Sequence, residues 1–128
     1  MVAAEGIKRI LLVDDEPNII IPIEFLMKQQ GFQVEKAYSG AEALTRMQQY
    51  LPNIVILDVM MPGMNGFEVA QQIRNNPRFE NTRIIFLTAR GTTEDKWKGY
   101  AKGGEAYLTK PFDNDELVQL VNELVAYG

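Results

Sequence analysis

Three apolar runs in the chain each end on a residue able to hold a cation or a phosphoryl group. Ile10-Leu11-Leu12-Val13 runs into Asp14-Asp15, Ile54-Val55-Ile56-Leu57 into Asp58, and Ile84-Ile85-Phe86-Leu87 into Thr88. Carboxylates gathered in one place repel one another, and a bound hard cation such as Mg2+, which takes oxygen ligands, keeps them ionised at neutral pH. Asp14, Asp15 and Asp58 therefore predict a Mg2+ site. With the metal lowering the charge barrier, Asp58 is a candidate covalent acceptor. A hydroxyl at Thr88 and an ammonium at Lys110 suit the charge that develops on an incoming phosphoryl group. The chain has no histidine and no cysteine, which excludes imidazole and thiol chemistry, thiolate metal sites and disulfides.

Taken singly, most of these residues have an ordinary role. An Asp pair before a helix is a common N-cap with a favourable dipole contact, and Glu16-Pro17 suits that role for one member. Thr88 is a β-branched strand residue and Lys110 a solvated lysine. Asp58 is harder to place in that way, because a lone carboxylate closing a strand of Ile, Val, Ile and Leu is costly to bury. The case for chemistry rests on convergence, and convergence depends on the fold.

Short, near-continuous aliphatic runs read as strands buried on both faces, which belong to parallel sheets covered by helices. Strands are predicted near Lys8 to Asp14, Phe32 to Tyr38, Asn53 to Asp58, Arg83 to Thr88 and Ala106 to Thr109. Helical spacing fills the gaps. The first helix opens at Pro17 and ends at Gly31. The second follows a capping box of Ser39 and Glu42, the third follows the Met60 to Gly66 loop, and the fourth runs from Thr93 to Lys102. The fifth, capped by Asp113 and Glu116, carries Leu117, Leu120, Val121 and Leu124 at one face. Five alternating units predict an α/β fold, a single doubly wound five-stranded parallel sheet of order 2-1-3-4-5 with helices on both faces. Under that order the first and third strands are neighbours at the switch point, where ligands bind, so Asp14, Asp15 and Asp58 meet by topology alone.

The chain's 128 residues are one ordinary domain, taken here as 1–128, and 46% hydrophobic with 23% charged residues is the mix of a globular protein. A net charge of −4 argues against direct nucleic acid binding, which depends on Lys and Arg neutralising phosphates. Met1 to Gly6 lack the basic start and apolar core of a signal peptide, and no run approaches the roughly 20 apolar residues that span a bilayer. The expected location is the cytoplasm, without membrane attachment.

Over nearly its full length the chain resembles the receiver domain of two-component response regulators. The resemblance rests on Val13-Asp14-Asp15-Glu16-Pro17, the run from Leu57-Asp58 through Met60-Met61-Pro62-Gly63 to Asn65-Gly66, Leu87-Thr88-Ala89-Arg90, and Tyr107-Leu108-Thr109-Lys110-Pro111-Phe112. It implies a phosphoacceptor signalling module rather than an enzyme with a diffusible substrate, catalysing only its own phosphorylation and dephosphorylation. Asp58 would take a phosphoryl group from a phosphohistidine on a sensor histidine kinase or histidine phosphotransfer protein. Asp15, Asp58 and the Met60 backbone carbonyl would bind Mg2+ directly, with Asp14 acting largely through water. Thr88 and Lys110 would contact phosphoryl oxygens, and the small Ala89 would leave room for that group. Thr88 and Tyr107 would form the switch, altering the face of the fourth helix, fifth strand and fifth helix, through which a phosphorylation-dependent homodimer would form. A cis bond before Pro111 is expected as well.

Several positions depart from the family pattern. Pro22 falls inside the first helix, where it costs about 3 kcal/mol unless the helix bends or starts late, so a local kink is predicted. Ala106 stands where the family often has an acid. Met60 and Arg90, two residues past Asp58 and Thr88, are placed to tune how fast water reaches the acyl phosphate. Trp97, Tyr100 and Ala101 form a stripe whose default reading is core packing, with a partner surface as the alternative should Trp97 be exposed. Two other functions compete. An aspartyl phosphatase would resemble a pattern with a second acid two residues past the nucleophile, where Met60 stands. A flavin carrier needs a phosphate loop after the first strand, and Asp14-Asp15-Glu16 would repel that phosphate.

Overall fold

The aliphatic runs form strands, and the computed structural model describes residues 8–127, so Met1 to Gly6 lie outside it. The elements are β1 (Arg9–Val13), α1 (Pro17–Gln29), β2 (Gln33–Ala37), α2 (Gly40–Tyr50), β3 (Ile54–Leu57), α3 (Gly66–Arg74), β4 (Arg83–Thr88), α4 (Thr93–Ala101), β5 (Ala106–Thr109) and α5 (Asn114–Tyr127). All pairings are parallel and the order is β2-β1-β3-β4-β5, as the alternating periodicities predict. Val13 pairs with Leu57 and Leu57 with Phe86, so the residues that follow, Asp14 and Asp58, emerge side by side.

Alternation along the central strands divides the core into two layers. Leu11, Val13, Val55, Leu57 and Phe86 face α2 and α3, meeting Met47, Val69 and Ile73. Ile10, Leu12, Ile56 and Ile85 face α1 and α5, meeting Ile20, Met27, Leu117 and Val121. Each fully buried side chain of this size contributes about 1.5–3 kcal/mol of transfer free energy, which fixes β1, β3 and β4 as the most constrained strands. A functional group at their ends inherits that rigidity.

Local chemistry sets the helix starts. Asn65 Oδ1 accepts from Glu68 N at 3.0 Å while Asn65 N donates to Glu68 Oε1 at 2.9 Å, a reciprocal capping box on α3. At α2, Ser39 Oγ accepts from Glu42 N at 3.1 Å, but the Glu42 carboxylate reaches Tyr38 N at 2.7 Å, so the expected box is half formed. At α5, Asp113 N donates to Glu116 Oε1 at 3.4 Å. A short 3-10 turn, Pro77–Phe79, buries Phe79 between α3 and β4, and nothing in the periodicity announces it. The Lys110-Pro111 bond is cis.

Helix α1 starts at Pro17 and runs unbroken through Pro22, which is exposed, so the lost backbone hydrogen bond lies on the solvent side. The core-packing reading of the α4 stripe is wrong. Trp97 is 71% and Tyr100 48% exposed, and Ala101 is exposed too. The face that packs inward is Asp95 and Gly99, four residues apart. A Cβ at Gly99 would lie 2.7 Å from Tyr107 Cδ2 and 3.1 Å from Phe86 Cδ2, so the helix approaches β4 and β5 through its glycine, which turns Trp97 outward. Among the described residues no helix is long and apolar enough to cross a membrane.

Candidate functional site

The backbone carries the acids past the ends of their strands. Asp14 N donates to Ala37 O at 3.2 Å and Asp58 N to Val13 O at 3.0 Å, so both residues extend the sheet ladder by one step. The floor beneath Asp58 is the start of α3, where Gly66 N donates to Val59 O at 2.9 Å and a Cβ on Gly66 would overlap the Asp58 carbonyl. Asp14 and Asp58 are 4% and 5% exposed, and Thr88 is fully buried.

Lys110 ties the edge together. Its Nζ lies 3.0 Å from Asp14 Oδ2 and 3.6 Å from Asp58 Oδ2, across 96 residues of chain in the first case. Its N–H donates to Thr88 O at 2.8 Å, which locks the end of β5 to the end of β4. The remaining Asp14 oxygen accepts from Glu16 N at 3.0 Å, and Asp58 Oδ1 accepts from Met60 N at 3.2 Å. Burial raises the Asp14 pKa above its ordinary value, opposed by the Glu16 N–H and the Lys110 ammonium and reinforced by the Asp58 charge. One ammonium serves two buried carboxylates.

Among the described residues, carboxylate oxygens of Asp14, Asp15 and Glu16 lie within 4.8 Å of one another. Glu16, read from sequence as part of a helix start, makes no side-chain cap bond and joins the acids instead. Asp58 connects to this group through Lys110 rather than by direct crowding. A donor set made only of oxygen, in negative excess, fits a hard divalent cation. The Met60 side chain is exposed while its N–H turns the loop back onto Asp58.

Beyond the acids lies a second polar group. Thr88 Oγ1 accepts from Arg90 N at 3.3 Å. The Tyr107 hydroxyl donates to Arg90 O, with its ring 5.7 Å from that of Phe86. The Arg90 guanidinium meets Asp95 Oδ1 at 2.8 Å, and Asp95 Oδ2 accepts from the Thr92 hydroxyl at 2.8 Å. Burial pushes the Tyr107 phenol up to about 12, with the Asp95 charge adding to it. Periodicity does not point to Asp95, although Thr92-x-x-Asp95 is a readable cap pattern: Asp95 N donates to Thr92 Oγ1 at 3.0 Å. Glu105 stands one residue ahead of Ala106 and pairs with Arg74 at 2.8 Å and Arg83 at 3.6 Å.

A parallel 2-1-3-4-5 sandwich with paired acids, a hydroxyl and a lysine at one sheet edge defines a receiver module. The chain belongs to the response regulator receiver domain family, whose family model matches residues 10–122. It is 42% identical over 118 residues to the response regulator Rre1 of Synechocystis sp., covering 91% of this chain and 51% of that protein. It is 33% identical over 118 residues to the protein PilH of Pseudomonas aeruginosa, covering 92% and 98%. The chemotaxis protein CheY4 of Vibrio cholerae superposes with a TM-score of 0.88 at 32% identity, covering 93% of this chain and 99% of that one. The chain spans about half the length of several of the curated relatives it matches. The family's role is that of a phosphoacceptor in two-component signalling, and its partners are histidine kinases or phosphotransfer proteins.

Proposed function

We propose that Asp58 is the phosphoacceptor of this chain. The observation that carries the reading is the Lys110 ammonium held against both Asp14 and Asp58, at 3.0 and 3.6 Å. An Asp58 carboxylate oxygen attacks the phosphorus of a phosphohistidine on the partner. The new bond is an acyl phosphate, the phosphorus–nitrogen bond breaks, and the imidazole leaves with its electron pair. None of the 128 residues is a histidine, so the donor lies outside them. Water later cleaves the acyl phosphate to inorganic phosphate and restores Asp58.

Asp14, Asp15, Asp58 and the Met60 backbone carbonyl would hold Mg2+, which supplies charge neutralisation to the phosphoryl oxygens when bound. Lys110 exchanges part of its contact with the acids for a phosphoryl oxygen, and the Thr88 hydroxyl donates to another. Ala89 beside Thr88 leaves space for the group. The reaction belongs in the cytoplasm, where Mg2+ and phosphorylated donors are supplied, and the chain catalyses only its own phosphorylation and dephosphorylation. Trp97 and Tyr100, exposed on α4, favour a partner surface there, a phosphorylation-dependent homodimer through α4, β5 and α5 being the form we propose.

Incubation with Mg2+ and acetyl phosphate tests the reading by mass. The expected result is one added phosphoryl group in the wild type and none in Asp58→Ala or without the metal. No added mass in the wild type, or a full gain in Asp58→Ala, would overturn it.

A further inference from the structure

Three hydrogen-bonded contacts converge on one residue between β4 and α4. The Arg90 N–H donates to Thr88 Oγ1 at 3.3 Å, and the Arg90 carbonyl accepts from the Tyr107 hydroxyl. The Arg90 guanidinium holds Asp95 at 2.8 Å, and the second Asp95 oxygen in turn holds the Thr92 hydroxyl at 2.8 Å. Asp95 is 8% exposed while the Arg90 side chain is 47% exposed, so it is the acid of this pair that is withdrawn from solvent, and it lies on the inward face of α4 with Gly99. The loop is also pressed onto β5, because a Cβ on Gly91 would lie 2.6 Å from Thr109 Cγ2. The backbone of residue 90 therefore has little freedom as long as its side chain is anchored.

We propose that Asp95 is a positioning residue of the switch: by holding the Arg90 guanidinium it fixes the one backbone position to which both the Thr88 and the Tyr107 hydroxyls bind. The inference rests on the reading of Asp58 as phosphoacceptor and of Thr88 and Tyr107 as its responders. Thr88 Oγ1 accepts from the Arg90 N–H while its own proton is free to be donated, so the trade comes only when the side chain turns toward a phosphoryl oxygen on Asp58 and away from that N–H. A fixed Arg90 raises the cost of the trade. It also keeps the Tyr107 ring seated between Phe86 and Gly99, where the ring supports α4. Loosening Arg90 then has two opposite consequences: the Thr88 hydroxyl is released more readily, and the message to α4 weakens because Tyr107 loses its anchor.

The full chain carries its own reporter, since Trp97 is the sole tryptophan and is exposed on α4 two residues past Asp95. Beryllofluoride with Mg2+, a stand-in for the acyl phosphate, would be titrated against Trp97 emission, with bound ligand counted separately by 19F NMR. In Asp95→Asn and Arg90→Gln the midpoint falls by about fivefold or more and the emission change shrinks, the double variant doing no more than either single one. Arg90→Lys, which keeps the charge, restores part of both readouts. A role confined to folding would lower the melting temperature and leave the midpoint alone. The amide introduced by Asp95→Asn retains an oxygen for the Thr92 hydroxyl, so the α4 cap survives the substitution. A wild type that binds no beryllofluoride would overturn the phosphoacceptor reading. A wild type that responds, with Asp95→Asn matching it in midpoint and amplitude, would overturn the role of Asp95 alone.

Discussion

The two ends of the sheet handle charge in opposite ways. At the entry end, one acid is shared by two cations. Glu105 meets Arg74 at 2.8 Å and Arg83 at 3.6 Å and also accepts Ile84 N at 2.7 Å, while Arg74 Nε donates to Gly103 O at 2.9 Å. At the exit end, one cation is shared by two buried acids, Asp14 and Asp58, with Asp15 and Glu16 close by. The first arrangement supplies every oxygen with a donor and braces α3 against β4 and β5. The second holds negative charge in excess and leaves Asp14 above its ordinary pKa. Charge left over at one end, in a molecule able to balance it at the other, is a cost tolerated for binding.

Substitutions sharpen this contrast, and the largest effect is steric. Gly66→Ala drives a methyl group into the Asp58 carbonyl, so urea denaturation is expected to find a loss of about 3 kcal/mol together with loss of phosphorylation. Unchanged stability would mean that the floor under Asp58 is compliant. Next comes Glu105→Ala, which strips a partner from two arginines and from Ile84 N, with an expected loss of about 2 kcal/mol after allowance for partial exposure. Phosphorylation should continue in that variant.

Asp14→Asn carries the smallest magnitude and the opposite sign. Removing one of two neighbouring buried charges should stabilise the fold by about 1 kcal/mol at neutral pH while slowing phosphorylation at least tenfold. The sign follows from linkage. A carboxyl whose folded pKa is raised penalises the folded state at pH values above that pKa, and the penalty fades as pH falls through it toward 3.8. The stability gap between Asp14→Asn and the wild type should therefore close on acidification. An Asp14→Asn variant that loses as much stability as Glu105→Ala would show that the two ends are built alike.

Much of this was legible because β1, β3 and β4 are buried on both faces. Their runs of Ile, Leu and Val have one interpretation, and the polar residue that ends each run marks the edge. The spans of β4 and β5 agree with the periodicity residue for residue, and the convergence of Asp14, Asp58 and Lys110 follows from strand order. Helix orientation was less legible. The α4 stripe of Trp97 and Tyr100 has the size and spacing of a core face, yet Gly99 makes the closest approach, and a hydrophobicity pattern gives no weight to a residue without a side chain. The Arg90–Asp95 pair was hidden for another reason: it is a local contact between a loop and a first helical turn, and alternation along strands carries no information about it.

The glycine at the foot of α4 bears on how a chemical event at Asp58 can travel. Helices α1 and α3 mesh with the sheet through bulky side chains such as Met27 and Ile73 that interlock like gear teeth, whereas this one rests at Gly99 against the Cδ2–Cε2 side of an aromatic ring. A smooth bearing of that kind lets the helix roll or slide with little disturbance to the interior, and the ring it rides on is Tyr107. Displacing one phenol would then swing a whole helix, with Trp97 at its outer rim, while the strands beneath stay still.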